Sequence, residues 1–246
     1  MYDVIGDIHG CLTEFTQLTE KLGYRWVHQL PIHPEQRTLV FVGDITDRGP
    51  SSVEMIRIVA NLVEQGLALY VPGNHCNKLY RLLIGRNVQV AHGLETTVQE
   101  LNQLDNRHRE QISEQFIALY KKSPLILYLD QQQLVVCHAG VQENNLFKPL
   151  TSAMRSFALY GDTTGKKDAN GLPERRDWAR QYHGKPLIVY GHTPVARPRW
   201  KNHTLNLDTG CAFGGMLSAL RYPEMKLVAV PSSMPRISDR FRSFPD

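Results

Sequence analysis

Several short apolar runs in this chain end in a glycine-containing polar cluster, and this arrangement constrains the fold more than any other feature. In chain order the clusters read GDIHG (6–10), GDITDRGP (43–50), GNH (73–75), HAG (138–140) and GHT (191–193). The runs before them have the length and composition of buried strands. Because the carboxyl ends of strands in an α/β sheet converge at one edge, where ligands bind, we expect the clusters to meet there. The glycines let the backbone turn sharply and approach a ligand closely.

The pattern around these clusters predicts a mixed α/β sandwich with helices outside. Strand-like and helical runs alternate in the first half of the chain, whereas the second half is richer in strands. The length fits one domain over 1–246. Within it we expect a helical insertion at about 85–122, a polar loop at about 161–182 and a flexible tail at 231–246.

Charge and composition exclude several classes of function. The formal net charge of +4 permits anionic ligands, but no long basic block with interleaved aromatics indicates a dedicated nucleic-acid module. No apolar stretch approaches the length of a membrane span, and the first strand-like run begins at Tyr2, so we expect neither membrane association nor a signal peptide. The four cysteines are far apart and form no CxxC pair. We therefore expect a cytoplasmic protein with reduced thiols, acting as a monomer.

The residue types in the clusters indicate a metal site. They offer carboxylate, amide and imidazole donors without a thiolate, a set that suits manganese, iron, nickel, cobalt or zinc. One carboxylate can bridge two ions, and two ions roughly 3.5–4 Å apart clamp both oxygens of a phosphoryl displacement. Such ions lower the pKa of water to about 7 and so supply hydroxide. The candidate ligands are Asp7, His9, Asp44, Asn74, His138 and His192.

Three further residues in the same clusters suit the handling of a phosphate. Arg48 can hold two phosphate oxygens through its planar fork. His75 can protonate the leaving oxygen, and Asp47 can orient the His75 ring and keep it charged. Each role in metal-assisted phosphate hydrolysis therefore has a candidate residue.

The ordered series GDIHG, GDITDRGP, GNH, HAG and GHT resembles the phosphoprotein phosphatase superfamily, the calcineurin-like metallophosphoesterases. GDxxDRG is highly specific, and the shorter motifs gain specificity from their order. The resemblance implies a sandwich of two mixed β-sheets flanked by helices, and two divalent ions, for which we expect manganese with nickel, cobalt, iron or zinc as alternatives. It places Asp7, His9 and Asp44 on the first ion and Asp44, Asn74, His138 and His192 on the second, with Asp44 as the bridge.

Finer features of the sequence resemble a bacterial branch of this superfamily. Eukaryotic protein phosphatases usually read GNHE, and here Cys76 stands at the fourth position. The strings GNHCNKLYR, AHGLETT, YGDTTG and LDTGCAFGG resemble bacterial dinucleoside-tetraphosphatases and the phosphatase module of bacterial polynucleotide kinase-phosphatases. The chain has no P-loop, since GDTTGKK (161–167) has the wrong spacing, which favours the stand-alone enzyme. The same resemblance implies that Asp208 supports the metal ligands.

The resemblance implies asymmetric hydrolysis of a dinucleoside tetraphosphate, such as Ap4A to ATP and AMP, with a small phosphorylated molecule as the partner. A protein Ser/Thr/Tyr phosphatase and a phosphatase or phosphodiesterase of nucleic-acid ends are the alternatives, and the motifs do not separate them because all share one metal chemistry. Basic residues outside the motifs could hold distal phosphates or form a solvated loop face. These are Arg155, Lys166, Arg175 and Arg176.

Overall fold

The protein is built on two five-stranded sheets, and the computed structural model describes residues 1–167 and 173–244. In chain order the strands are β1 (Tyr2–Ile5), β2 (Arg25–Val27), β3 (Leu30–Ile32), β4 (Thr38–Phe41), β5 (Ala68–Tyr70), β6 (Ile126–Leu129), β7 (Leu134–Cys137), β8 (Thr163–Lys167), β9 (Pro173–Arg175), β10 (Leu187–Tyr190), β11 (Arg199–Lys201), β12 (Thr204–Asn206), β13 (Met216–Tyr222) and β14 (Lys226–Pro231). The helices are α1 (Leu12–Lys21), α2 (Ser52–Glu64), α3 (Asn74–Leu83), α4 (Leu94–Gln103), α5 (Asn106–Lys122) and α6 (Ser152–Tyr160).

Both large sheets mix parallel and antiparallel pairs. The first has the order β14-β13-β1-β4-β5, in which β1, β4 and β5 are parallel and β13 and β14 close one side in antiparallel fashion. The second has the order β11-β12-β10-β7-β6, with β12, β10 and β7 parallel. The predicted fold class, two mixed sheets flanked by helices, is confirmed.

Successive residues of the central strands face different layers, as the two-residue period of a strand requires. Val4 and Val40 of the first sheet share one buried cluster with Leu134 and Val189 of the second, so this core lies between the sheets. Their neighbour Ile5 belongs to a cluster that also contains residues of α1 and α2. Apolar residues on both faces explain why these strands read as continuous apolar runs.

The helices of the first half cover the outer face of the first sheet and one another. Helix α2 packs on β5, and α4 and α5 pack on α2 and α3. Helices α4 and α5 occupy the predicted insertion at about 85–122, while the single-domain assignment stays a prediction. Within residues 1–167 and 173–244, no helix combines the length and apolar character needed to cross a membrane.

The segment predicted as a polar loop at about 161–182 differs from the prediction. Strands β8 and β9 pair antiparallel there, with Thr163 opposite Arg175 and Lys167 opposite Pro173, and a 3-10 turn follows at Trp178–Gln181. Residues 168–172 of that prediction lie outside the described residues. The hairpin is half-buried at most and carries polar residues on both faces, so it lacks the apolar alternation that reveals a strand.

The tail, predicted to be flexible from 231 to 246, also differs from the prediction as far as residue 244. The Ile237 amide donates to the Phe213 carbonyl at 3.1 Å, and the Arg242 amide donates to the Pro194 carbonyl at 2.8 Å. A 3-10 turn at Ser238–Arg240 lies between these two attachments. The tail therefore lies against the GHT loop and against the turn at Cys211–Phe213, a placement that local sequence pattern does not encode.

Candidate metal centre and phosphate pocket

The polar clusters meet at one edge of the molecule, and both sheets contribute to it. The His9 amide donates to the Asp44 carbonyl at 2.8 Å, which joins the loops after β1 and β4. The Gly191 amide donates to the His138 carbonyl at 2.8 Å, which joins the loops after β7 and β10. Across the two sheets, the His192 amide donates to Asp7 Oδ2 at 3.0 Å. The structure thus brings the predicted clusters together.

Two glycines are required by how closely the backbone approaches the aspartates. A Cβ atom added to Gly73 would lie 2.1 Å from Asp44 Oδ1, and one added to Gly191 would lie 2.1 Å from Asp7 Oδ1. Both distances are far below van der Waals contact, so a larger residue at either position would displace a carboxylate. The glycine in GNH and the glycine in GHT are therefore part of how these motifs place their aspartates.

Asp44 lies at the centre of the site and is almost completely buried. Its Oδ1 accepts a hydrogen bond from the His75 amide at 2.9 Å. Its Oδ2 lies 3.3 Å from His138 Nε2 and 3.8 Å from His9 Nε2. One carboxylate thus lies between two groups of donor atoms, one containing His9 and the other His138.

The ring tautomers of His9 and His138 follow from their partners. His9 Nδ1 lies 2.8 Å from the Thr46 carbonyl oxygen, and His138 Nδ1 lies 3.0 Å from the Val42 carbonyl oxygen. A carbonyl can only accept, so each Nδ1 carries a hydrogen and donates it. In the neutral ring each Nε2 then presents a lone pair towards Asp44. This arrangement, with one ring nitrogen fixed by a backbone carbonyl, is typical of metal-bound histidines.

The Asn74 side chain gives the sharpest test of whether a cation fits. Its amide oxygen lies 2.8 Å from His192 Nδ1, 3.0 Å from His138 Nε2 and 3.2 Å from Asp44 Oδ2, and it faces only acceptor atoms. Either end of the amide can occupy this place: the nitrogen would donate to these atoms, whereas the oxygen needs a ring proton or a cation among them. A divalent cation among the four atoms would be bound by the amide oxygen.

Two other polar atoms of the site are buried without a hydrogen-bond partner in the described part of the chain. They are Asp7 Oδ1 and His192 Nε2. Leaving such atoms unsatisfied costs about 1–3 kcal/mol each. Burial, and then the charge of Asp208, raise the pKa of Asp7, which a nearby cation would offset. The orphaned Asp7 oxygen and the converging lone pairs fit divalent cations.

The electrostatics of the cluster favour added positive charge. Burial lowers the pKa of His9 to about 3, so its ring is neutral and able to ligate. Burial opposes ionisation of Asp44, yet His138 and His75 hold the pKa of Asp44 well below its usual range. Burial also opposes a charged His138, but Asp44 and Asp7 raise the pKa of His138 to about 9. Without metal ions the cluster would take up a proton in place of a cation.

Beside the metal cluster, His75 is held by a buried carboxylate. His75 Nδ1 lies 2.7 Å from Asp47 Oδ2, and Asp47 is completely buried. Thr97 of helix α4 donates its hydroxyl to Asp47 Oδ1 at 2.6 Å, and Ser52 accepts from the Asp47 amide at 3.0 Å. Asp47 and Arg48 adopt positive φ of 74° each, a strained conformation for such residues. The loop therefore depends on α4, which sequence reasoning did not connect with the site.

Arg48 faces His75 from the other side. Its Nη2 donates to His75 Nε2 at 3.0 Å, and its amide donates to the Gly93 carbonyl at 2.9 Å. Because arginine only donates, Nε2 accepts here and His75 carries its hydrogen on Nδ1, directed at Asp47. His75 and Arg48 thus form one hydrogen-bonded unit at the mouth of the metal cluster.

A pocket opens in front of these residues. Asp208, which is nearly fully buried, lies in its wall, and burial raises the pKa of that carboxyl to about 6. Of the four basic residues predicted to hold distal phosphates, Arg175 lines the pocket. Arg176 pairs with Asp162 at 3.1 Å, and Arg155 and Lys166 are exposed outside the lining.

Several pocket residues were not singled out from the sequence, and three of them offer a charge or an aromatic ring. They are Phe213, Arg240 and Arg242, of which the two arginines come from the tail. The alternation of basic residues in RISDRFR (236–242) was the available signal, but it predicts a solvated tail as readily as a binding surface. Phe213 follows the LDTG turn, where an apolar residue ordinarily indicates core packing.

Comparison with known proteins places this geometry in context. A family model described as calcineurin-like phosphoesterase matches residues 2–216. The asymmetrical bis(5'-nucleosyl)-tetraphosphatase PrpE of Bacillus cereus (strain AH820) is 59% identical over 242 residues, covering 98% of each chain. PrpE of Anoxybacillus flavithermus (strain DSM 21510 / WK1) is 56% identical over 244 residues, covering 99% of each chain.

Solved structures support the fold at lower identity. The crystal structure of a protein proposed to be a diadenosine tetraphosphatase has a TM-score of 0.65 at 22% identity, covering 94% of this chain and 93% of its own. A Saccharomyces cerevisiae protein serine/threonine phosphatase has a TM-score of 0.60 at 15% identity, covering 96% of this chain and 81% of its own. At such identities these likenesses show the fold alone.

Proposed function

The chain belongs to the calcineurin-like phosphoesterase family, and from that premise we propose that it is a two-metal hydrolase that splits dinucleoside tetraphosphates asymmetrically, Ap4A into ATP and AMP. The observation that carries the metal chemistry is the convergence of Asp44 Oδ2, His138 Nε2 and His192 Nδ1 on the Asn74 amide, at 2.8–3.2 Å. The substrate rests on the full-length identity to proteins named as asymmetrical tetraphosphatases.

We propose that the first ion binds Asp7, His9 and Asp44, and that the second binds Asp44, Asn74, His138 and His192. Divalent ions bound here would supply Lewis acidity, because they lower the pKa of water and neutralise phosphate charge. Manganese is our choice of metal, since oxygen and imidazole donors without thiolate suit it. Asp208 would support the cluster from the pocket wall, where its charge acts on Asp7.

In this proposal Arg48 and His75 exchange partners when substrate binds. A phosphate in the pocket competes for the Arg48 fork, which now donates to His75 Nε2 at 3.0 Å. Once released, Nε2 can hold a proton, and Asp47 at 2.7 Å from Nδ1 balances the charge. Water that has lost a proton to solvent bonds to phosphorus through its oxygen while the bond from phosphorus to the leaving oxygen breaks. His75 Nε2 gives the leaving oxygen its proton, and His75 then takes a proton back from solvent.

Of the basic residues predicted to bind distal phosphates, we propose only the one that faces the pocket. Arg175 lines it, whereas the Arg176 guanidinium is paired with Asp162 on the exposed side of the hairpin. A role of Arg155, Lys166 and Arg176 in holding distal phosphates stays a prediction without support from their position. All proposed ligands come from one chain, so we propose a monomeric enzyme, which light scattering of the purified protein tests.

One comparison tests the proposed function. The purified protein is stripped with a chelator, loaded separately with manganese, nickel, cobalt or magnesium, and assayed for kcat/KM on diadenosine tetraphosphate, a phosphopeptide panel and a 3'-phosphorylated oligonucleotide. We expect no activity without metal, recovery with manganese, and the highest kcat/KM on the tetraphosphate, with ATP and AMP as products. A higher kcat/KM on peptides or oligonucleotide would refute the substrate, and metal-independent activity would refute the mechanism.

A further inference from the structure

The pocket carries more positive charge than the proposed chemistry at one phosphate needs. Four guanidinium groups line it, and they come from three separate parts of the chain. Arg48 belongs to the loop after β4, Arg175 ends β9, and Arg240 and Arg242 belong to the tail. Among residues 1–167 and 173–244, the carboxylates that line the same pocket are Asp44 and Asp208, and Asp44 is committed to the proposed metal cluster.

Two of these arginines lie over the same aromatic ring. The guanidinium carbon of Arg48 lies 4.9 Å from the centroid of Phe213, and that of Arg240 lies 5.7 Å from it. The Nε atoms of both arginines are buried and have no hydrogen-bond partner within residues 1–167 and 173–244. After burial itself, the neighbouring charge of Arg240 is a cause that lowers the pKa of Arg48. Buried donors and like charges in one place indicate an anionic ligand.

The other two arginines form a second like-charged pair. Burial, followed by the charge of Arg242, lowers the pKa of Arg175 to about 10. Arg175 Nη1 donates to the Tyr160 carbonyl at 2.5 Å, which fixes its guanidinium at the end of α6. The charge of Asp208 opposes this lowering, because it raises the pKa of Arg175 and also the pKa of Arg48. One buried carboxylate therefore acts on two guanidinium groups of the pocket, those of Arg48 and Arg175.

The tail is positioned against the metal loops by its backbone. The Arg242 amide donates to the Pro194 carbonyl at 2.8 Å, two residues beyond His192. Phe241 packs so closely on Gly210 that a Cβ there would lie 2.5 Å from its ring. These contacts hold the tail beside both the GHT loop and the turn that carries Asp208, so Arg240 and Arg242 face the pocket as fixed groups.

We propose that Arg240 and Arg242 of the tail, together with Arg175, bind the phosphates beyond the one that reacts, so that the enzyme selects substrates by the length of their phosphate chain. The inference rests on the proposed function and names its specificity residues. A polyphosphate chain carries about one negative charge on each phosphate, and arginine forks match phosphate oxygens in pairs. The Arg48 and Arg240 pair would lie nearer the reacting phosphate, and the Arg175 and Arg242 pair farther along the chain.

The experiment compares Arg240→Gln, Arg242→Gln and the double variant with the wild type, all loaded with metal. Two substrates are used, diadenosine tetraphosphate and p-nitrophenyl phosphate, which has one phosphoryl group. Inhibition of p-nitrophenyl phosphate hydrolysis by a methylene-bridged diadenosine tetraphosphate analogue gives a dissociation constant that does not depend on cleavage. Arg236→Gln is the matched control, because Arg236 belongs to the same tail but is exposed and stacks on Phe241, 3.7 Å from the ring centroid.

We expect each single change to raise KM for the tetraphosphate, and the inhibition constant of the analogue, by roughly tenfold, as for loss of one charge-assisted phosphate contact. The loss of kcat/KM on p-nitrophenyl phosphate should be several times smaller, and Arg236→Gln should stay within about twofold of wild type. Arg240→Lys and Arg242→Lys, which keep the charge, should recover part of the affinity.

Equal losses on both substrates, or no loss on the tetraphosphate, would overturn the role of the tail. Failure of the proposed function looks different, because wild type itself would then hydrolyse the tetraphosphate no better than p-nitrophenyl phosphate. In that case the analogue still tests the tail, since wild type that does not bind it would overturn the inference as well. Circular dichroism of each variant confirms that a loss of affinity reflects the pocket and not unfolding.

Discussion

Replacing His75 by Gln should slow the enzyme most for substrates whose leaving group needs a proton. Nε2 of His75 faces the pocket beside Arg48, and Nδ1 lies 2.7 Å from buried Asp47. General acids contribute typically about 10²–10⁴-fold to rate. We therefore expect kcat on phenyl phosphate to fall by about a hundredfold or more. With p-nitrophenyl phosphate, whose leaving group departs as a stable anion, we expect a fall of less than about tenfold.

Asp47→Asn should reproduce part of this effect without removing the ring. A hydrogen bond to a charged group contributes about 1.5–3 kcal/mol, which is roughly tenfold to 150-fold in rate. The loss should again be larger with phenyl phosphate, because Asp47 acts on the leaving oxygen only through His75. His108→Gln is a matched control, since His108 Nδ1 pairs with Asp105 Oδ2 at 2.6 Å in an exposed position outside the pocket.

The assay is steady-state kcat on the two phenyl esters with saturating metal, and the metal content of each variant is measured in parallel. Equal fractional losses on both esters, in a variant that keeps its metal, would refute the acid role of His75. If activity instead falls in proportion to bound metal, His75 is one of the metal ligands. Metal content is measured because donor atoms of His75, His9 and Asp44 lie within 4.8 Å of one another.

Three further outcomes follow from the same structure. Asp44→Asn should abolish activity on every substrate and leave the protein with fewer than two bound ions by metal analysis; substantial residual activity would refute a bridging role. Asp3→Asn should lower the free energy of unfolding by about 3 kcal/mol and Tm by roughly 6–12 °C, because Asp3 is buried and accepts from the buried Arg37 side chain at 2.9 and 3.0 Å; an unchanged Tm in calorimetry would contradict this. Burial raises the pKa of Cys76 and of Cys137 to about 12, so both thiols should resist alkylation at pH 8 until the protein is unfolded; rapid labelling of the native protein, read by mass spectrometry, would contradict their burial.

The metal loops could be located from the sequence because their causes are local. A buried parallel strand produces a continuous apolar run, and the close approach of Gly73 to Asp44 or of Gly191 to Asp7 leaves a glycine in the motif. Strand ends of the same sheet meet without further information. These rules account for the meeting of the clusters within each sheet, and the packing of one sheet on the other brings the two sets to one edge.

Other parts of the site could not be located from the sequence, because they depend on contacts between segments that are distant in the chain. Thr97 lies 50 residues after Asp47 in the chain. Its hydroxyl can donate to the Asp47 carboxylate only because α4 packs on α2. Arg240 and Arg242 enter the pocket because the tail returns from β14 to Phe213 and Pro194. The β8–β9 hairpin has no apolar face, so its sequence lacks the alternation of apolar and polar residues that predicts a strand. Such placements follow from tertiary packing, which local patterns do not record.

The proposed ligands come from both sheets, with Asp7 and Asp44 after strands of one and His138 and His192 after strands of the other. Ions bound among them would therefore link the two sheets to each other. By thermodynamic linkage, ions at a thousandfold excess over their dissociation constant would add about 4 kcal/mol per site to the free energy of unfolding. The coupling is reciprocal, so substitutions in the core between the sheets that leave part of the protein unfolded would lower the apparent metal affinity in proportion to the folded fraction. Metal occupancy would then report on the integrity of the whole interior.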